Sequence, residues 1–141
     1  MTTTLQRNLK PESGPVPGRT KGGKILVVDD EPPMRRFIEL GLQAGGYGDV
    51  IFCNSGTNVP AVAMSERPQL IIMDVMMPGG NGMRALRMLK QSPVTAGIPV
   101  IITSGFAIPT LDEHQNRADY LLPKPFSTEQ LLSVVGHLIK D

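Results

Sequence analysis

Cysteine is almost missing from this chain, which has only Cys53 among its 141 residues. One cysteine cannot form an internal disulfide, and nothing near it has the spacing of a metal-binding cluster. No segment approaches the roughly 18 consecutive apolar residues of a membrane-spanning helix, and the N-terminus lacks the apolar core of a signal peptide. We therefore expect a protein of a reducing compartment, the cytoplasm, without membrane insertion.

The chain also has no excess of charge of either sign. Its 14 basic and 13 acidic residues give a net charge of +1, and the basic residues do not collect along one predicted helix. Proteins that follow a phosphate backbone need such a stripe, so a direct nucleic-acid partner is not expected. The glycines Gly79, Gly80 and Gly82 do not form GxGxxG, and no P-loop motif is present, which argues against nucleotide binding.

The chain contains enough apolar residues to form the core of one domain. Residues 1–22 mix Thr, Pro, Gly and scattered charge with almost no large apolar residues, which predicts a disordered tail. Residues 23–141 are expected to form the domain, in which five apolar runs alternate with helical patterns. These runs are KILVVDD (24–30), DVIFCN (49–54), QLIIMD (69–74), PVIITS (99–104) and YLLPK (120–124).

Three of the five runs are nearly continuous in Ile, Leu and Val, which is typical of strands buried on both faces. Strands that alternate with helices predict a parallel sheet with right-handed crossovers. We therefore predict an α/β fold of the flavodoxin-like, doubly wound type, with five parallel strands in the order 2-1-3-4-5 and helices on both faces. The fourth crossover, residues 107–118, has little apolar periodicity and is expected to be short, mobile or irregular.

Local signals mark where the predicted helices begin and end. Gly45 and Gly46 follow the first helical pattern and are expected to end it. Ser127 precedes the last pattern, and Gln130 three residues later completes a capping box. Pro60 falls in the second crossover, where only the first turn of a helix accommodates it.

Charged or hydroxyl residues end four of the five predicted strands. In the predicted strand order these ends meet at one edge of the sheet, where such folds bind ligands. Taken singly, an Asp at a strand end is usually a helix cap and a Lys is usually an exposed side chain, so the coincidence at one edge is what favours a site. The residues are Asp29 and Asp30, Asp74, Thr103 and Ser104, and Lys124.

Three carboxylates at one edge repel each other unless they share a cation, and oxygen ligands without thiolate or imidazole favour Mg²⁺ or Mn²⁺. A lysine and a hydroxyl, together with that cation, would surround the oxygens of a phosphoryl group in transfer. A carboxylate can accept such a group as an aspartyl phosphate, and Asp74 is the expected acceptor.

With these residues in place, the sequence resembles the receiver domains of two-component response regulators. The resemblance runs from Lys24 to about Ile139 and rests on KILVVDDEP, LIIMDVMMPGGNG, IPVIITSG and ADYLLPKPF, in the right order and spacing. It implies that Asp74 accepts a phosphoryl group from a sensor histidine kinase or a phosphotransfer protein. It further implies that Asp30 is a direct metal ligand, that Asp29 acts largely through water, and that the Met76 backbone carbonyl completes the protein's share of the coordination.

The resemblance also implies roles for the residues at the ends of the fourth and fifth predicted strands. Ser104 matches the Ser/Thr switch position, while Thr103 is expected to point to the opposite face of the sheet. Lys124 matches the phosphate-binding lysine, and the Lys124-Pro125 bond matches the family's cis peptide. The sequence departs from the family at the switch aromatic, which is Leu121 here, with Tyr120 one position earlier.

The leading interpretation is a phosphorylation-controlled switch that signals to a downstream protein through altered contacts. It would catalyse its own phosphotransfer and dephosphorylation, and it would not turn over a small-molecule substrate. No output domain follows residue 141, which resembles stand-alone regulators, although a receiver excised from a longer protein would look the same. Leu121 favours an alternative, a receiver-like interaction module that works without phosphorylation switching. A small-molecule phosphohydrolase is disfavoured because Met76 stands where an acid would protonate a leaving group.

Overall fold

A central parallel sheet forms the middle of the protein. The structure is a computed structural model that describes residues 23–77, 82–105 and 118–139. The strands are β1 (Ile25–Val28), β2 (Val50–Cys53), β3 (Leu70–Asp74), β4 (Val100–Ser104) and β5 (Tyr120–Pro123). Their order is β2-β1-β3-β4-β5, and every neighbouring pair is parallel, which confirms the predicted flavodoxin-like topology. The predicted disordered tail, 1–22, lies outside the described residues, as does nearly all of the fourth crossover.

Helices cover both faces of this sheet. They are α1 (Pro32–Ala44), α2 (Val59–Glu66), α3 (Gly82–Gln91) and α4 (Thr128–Leu138). Alternate strand residues point to opposite faces, so Ile25 and Val27 of β1 belong to a buried cluster with residues of α1 and α4. Leu26 and Val28 belong to a second cluster with residues of α2 and α3. No helix in the described part of the chain is both long and apolar enough to cross a membrane.

The helix ends follow the local sequence signals. Ser127 Oγ accepts a hydrogen bond from the Gln130 backbone N–H at 3.0 Å, and Gln130 Oε1 accepts one from the Ser127 N–H at 2.7 Å, which confirms the capping box. Helix α1 ends at Ala44, and Gly46 has a φ of 96°, a backbone conformation that glycine adopts without strain. Proline occupies the first turn of α2, as expected for Pro60.

One glycine brings α3 close to the loop that follows β3. A Cβ atom built on Gly82 would lie 2.7 Å from the Cα atom of Val75, closer than ordinary van der Waals contact allows. Val75 directly follows Asp74, the last residue of β3. The absence of a side chain at Gly82 therefore lets α3 pack directly against the loop at the carboxyl edge of the sheet.

Candidate functional site

Three carboxylates lie together at the carboxyl edge of the sheet. Oxygen atoms of Asp29, Asp30 and Asp74 lie within 4.8 Å of one another. Asp29 is the first residue after β1, and Asp74 ends the adjacent β3, so the strand order predicted from sequence brings them side by side. Asp29 and Asp74 are buried, with 1% and 5% of their surfaces exposed, whereas Asp30 is half-buried.

Lys124, which directly follows the edge strand β5, forms hydrogen bonds and ion pairs with two of these carboxylates. Its Nζ atom lies 3.0 Å from Asp74 Oδ2 and 3.2 Å from Asp29 Oδ2. Burial lowers the pKa of the Lys124 ammonium, but the hydrogen bond to Asp74 and the charges of Asp29 and Asp74 outweigh this effect and raise the pKa above its usual value. Lys124 is therefore a cation at neutral pH.

Lys124 directly follows β5, and a backbone hydrogen bond ties it to the neighbouring strand. The Lys124 N–H donates to the Ser104 carbonyl oxygen of β4 at 2.8 Å. The Lys124-Pro125 peptide bond is cis, which confirms the expectation from the family resemblance. The ammonium also lies 4.0 Å from the carboxylate of Glu31, whose side chain is largely exposed.

The other oxygen of each buried carboxylate is held by the backbone two residues later. Asp74 Oδ1 accepts the Met76 N–H at 2.9 Å, and Asp29 Oδ1 accepts the Glu31 N–H at the same distance. Aspartate side chains commonly form this type of turn. Both buried carboxylates thus have a protein hydrogen-bond donor on each oxygen.

Asp30 differs from its two neighbours. Among the residues that the structure describes, none donates a hydrogen bond to the Asp30 carboxylate or forms an ion pair with it. A cluster of hard oxygen donors that includes a carboxylate without a partner among the described residues fits a divalent cation such as Mg²⁺ or Mn²⁺. The role of the Met76 carbonyl stays a prediction.

The two hydroxyls at the end of β4 lie on opposite faces of the sheet. Thr103 alternates with Ile102 and shares a face with Ile101, whereas Ser104 shares the other face with Ile102. Both hydroxyl residues are buried, with 1% and 2% exposure. Both residues therefore lie at the carboxyl edge of the sheet, on opposite faces, and Thr103 is the register partner of Asp74. The switch role of Ser104 stays a prediction.

The departure from the family pattern lies on β5, an edge strand. Tyr120 and Leu121 are consecutive residues of this strand, so they face opposite sides of the sheet. Both are partly exposed, at 44% and 37%. The ring of Tyr120 therefore does not occupy the face on which Leu121 replaces the expected aromatic.

One residue near the site had no assigned role in the sequence. Arg35 of α1 donates a hydrogen bond from Nη1 to the backbone carbonyl oxygen of Asp29 at 3.1 Å. An arginine on an amphipathic helix is typical of a solvated face, so its type and position carried no signal. Only the folded geometry shows that it reaches the acidic loop.

Comparisons with known proteins agree with this geometry. The family model for the response regulator receiver domain matches residues 25–136. The chain is 34% identical over 119 residues to the protein PilH of Pseudomonas aeruginosa, covering 82% of this chain and 97% of PilH. It is 33% identical over 119 residues to the phosphate regulon transcriptional regulatory protein PhoB of the same species, covering 79% of this chain. The matched segment spans only 49% of PhoB, about half the length of that relative.

A solved structure with the same fold has a metal ion in its own active-site cleft. The receiver domain of the sensor histidine kinase PA1611 from Pseudomonas aeruginosa, crystallised with a magnesium ion coordinated in its active-site cleft, has a TM-score of 0.76 and 27% identity. The match covers 85% of this chain and 99% of that domain. The family match extends over most of the chain, and the strand order and the acidic edge agree with it. The chain therefore belongs to the receiver domains of two-component response regulators.

Proposed function

We propose that Asp74 accepts a phosphoryl group from a phosphohistidine of a partner sensor histidine kinase or phosphotransfer protein. In this step an oxygen of Asp74 forms a bond to phosphorus while the bond from phosphorus to the imidazole nitrogen breaks. The bonding electrons stay on the imidazole, which takes up a proton as it leaves. The observation that carries the proposal is the buried Asp74 carboxylate, with the Lys124 ammonium at 3.0 Å and two further carboxylates beside it.

The acidic cluster is proposed to hold Mg²⁺, or Mn²⁺ in its place. Asp30 would bind the ion directly, Asp29 largely through water, and Asp74 and the Met76 carbonyl would complete the protein's ligands. When bound, the ion supplies positive charge that offsets the repulsion between the carboxylates and the incoming phosphoryl oxygens. The Asp30 carboxylate, which has no partner within the described ranges, and the magnesium ion in the PA1611 receiver domain support this assignment.

Lys124 and Ser104 are proposed to bind the phosphoryl oxygens. Lys124 carries its charge beside Asp74, where negative charge accumulates during the transfer, and two carboxylates hold its ammonium in position. A donor fixed in place before the reaction stabilises developing charge without the cost of reorganisation. The buried Ser104 hydroxyl, at the end of the neighbouring strand, would donate to a second phosphoryl oxygen.

The phosphorylated domain is proposed to act on a downstream protein through altered contacts. It would catalyse its own phosphotransfer and its own dephosphorylation, and it would not act as a turnover enzyme on a small molecule. PhoB is a transcriptional regulatory protein, but the match covers only half of it, so any such output belongs to that relative. The cytoplasmic location stays a prediction.

Mass spectrometry tests the acceptor. After incubation with a small phosphodonor and Mg²⁺, the intact protein should gain the mass of one phosphoryl group, and Asp74→Asn should gain none because the amide lacks the nucleophilic oxygen. Asp49→Asn is the matched control, since Asp49 is an exposed aspartate outside the cluster. Labelling of Asp74→Asn equal to that of wild type would end the assignment. A wild-type protein that binds Mg²⁺ but takes no label would favour the interaction module that Leu121 suggests.

A further inference from the structure

Arg35 lies close to the acidic loop but takes no part in its ion pairs. It is the fourth residue of α1, and its backbone N–H donates to the Glu31 carbonyl oxygen at 3.0 Å. Its guanidinium reaches back to the Asp29 carbonyl oxygen at 3.1 Å. Within the described ranges, this carbonyl is the only acceptor that Arg35 Nη1 has, and no carboxylate lies within ion-pair distance of the guanidinium.

The contact fixes the peptide group that joins Asp29 to Asp30. The Asp29 side chain does not depend on this contact, because Glu31 N–H and Lys124 Nζ hold its two oxygens. The Asp30 carboxylate has no partner in the described part of the chain, so only the backbone sets its direction. A rotation of this peptide group would therefore move Asp30 and leave Asp29 in place.

We infer that Arg35 is a positioning residue for the metal site: by holding the Asp29 carbonyl, it aims the Asp30 carboxylate at the space between Asp29 and Asp74. This inference rests on the proposed Mg²⁺ site. It goes beyond that proposal because Arg35 touches neither the phosphoryl group nor the ion. Groups that orient a metal ligand from behind typically change metal affinity about 10–100-fold when they are removed.

If Arg35 acted only through its charge, its removal would change the Mg²⁺ affinity in the opposite direction from the loss of a positioning contact. A measurement of that affinity therefore distinguishes the two roles. A guanidinium next to an acidic cluster repels a cation, so the loss of its charge alone would strengthen cation binding. The loss of a positioned ligand would weaken it. Mg²⁺ requires near-ideal octahedral geometry, whereas Ca²⁺ tolerates irregular ligand sets. A misplaced Asp30 should therefore weaken Mg²⁺ binding more than Ca²⁺ binding, whereas a change of charge would shift both affinities in the same direction.

The experiment compares Arg35→Met with Arg36→Met by calorimetric titration with Mg²⁺ and with Ca²⁺. Arg36 is the neighbouring arginine, with an exposed side chain paired to Glu39, so its variant removes the same charge from the same helix. We expect Arg35→Met to lose about tenfold in Mg²⁺ affinity and much less in Ca²⁺ affinity. Arg36→Met should stay within about twofold of wild type for both ions, as expected for an exposed charge.

A third variant, Arg35→Lys, keeps the charge but loses the planar guanidinium, and it should also lose Mg²⁺ affinity. Urea denaturation without metal checks that each variant is folded. Unchanged or tighter Mg²⁺ binding by a folded Arg35→Met would overturn the inference, as would equal losses for both ions. If wild type binds no Mg²⁺, the proposed metal site itself fails. If wild type binds Mg²⁺ and is labelled on Asp74 while Arg35→Met matches it, only the role of Arg35 fails.

Discussion

A substitution that adds one methyl group tests the close packing of α3 against the loop after Asp74. In Gly82→Ala, the new Cβ atom would lie 2.7 Å from Val75 Cα and 3.1 Å from Val75 Cβ and Cγ1. The nearest of these is a backbone atom, which no side-chain rotation can move away. Either the helix or the loop must shift, and that loop joins Asp74 to Met76.

The size of the effect follows from two opposing contributions. Overpacking a tight site costs about 1–3 kcal/mol, while replacing glycine by alanine in a helix gains up to about 1 kcal/mol. Gly136 of α4 isolates the second contribution, because a Cβ atom there meets nothing within 4 Å. We expect Gly82→Ala to lower the free energy of unfolding by about 1–2 kcal/mol and Gly136→Ala to raise it by about 0.5–1 kcal/mol.

Urea denaturation followed by circular dichroism measures both changes. With a slope of about 2 kcal/mol/M, the midpoint should fall by about 0.5–1 M for Gly82→Ala and rise by about 0.25–0.5 M for Gly136→Ala. Gly82→Ala should also bind Mg²⁺ more weakly, since the displaced loop carries the Met76 carbonyl. If Gly82→Ala is at least as stable as wild type and binds Mg²⁺ equally well, the close approach does not constrain the loop, and the reasoning is refuted.

Three further outcomes follow from the contacts of the site and of α4. Asp30→Ala should weaken Mg²⁺ binding more than Asp29→Ala, whereas Asp29→Ala should cost more stability because it removes the acceptors of the Lys124 ammonium and the Glu31 N–H. Titration calorimetry and denaturation together check both, and the reverse order would contradict the ligand assignment. The pKa of Lys124 in the folded protein is raised above 10.5, so its stabilising contribution is complete below that pH and is lost as the pH rises through the raised pKa. The stability difference between wild type and Lys124→Met should accordingly shrink at strongly alkaline pH, and a constant difference would count against the ion pairs. Ser127→Ala should cost about 1 kcal/mol through loss of the capping box, and an unchanged denaturation midpoint would show that the cap contributes nothing.

The sequence was sufficient for the topology because each strand is a run of apolar residues with a clear end. Alternation with helices leaves few possible arrangements, and the predicted order places Asp29 beside Asp74 without any knowledge of side-chain positions. Lys124 was assigned in the same way, although 95 residues separate it from Asp29. Strand alternation also gave the opposite orientations of Thr103 and Ser104 correctly.

Individual hydrogen bonds could not be predicted from the same patterns. The hydrogen bond from Arg35 to the Asp29 carbonyl depends on the orientation of α1 relative to the end of β1. The sequence shows only that an arginine lies on a predicted helix. The turn that places the Glu31 N–H on Asp29 is a local preference of aspartate, yet it competes with the helix cap that the same residue could form. The contact of Gly82 with Val75 depends on the distance between two elements, which no residue pattern encodes.

The large sequence separation between Lys124 and its carboxylate partners makes the signalling response depend on the folded fraction of the protein. Its two carboxylate partners lie 95 and 50 residues earlier, so the acceptor site exists only while β1, β3 and β5 are assembled in one sheet. At a stability of about 5 kcal/mol, only roughly one molecule in 5,000 is unfolded, and that molecule has no assembled site. Near the melting temperature, by contrast, the number of molecules able to respond falls in step with the folded fraction. A destabilising substitution far from the acidic edge would then reduce the amplitude of the response, while each folded molecule would still respond normally.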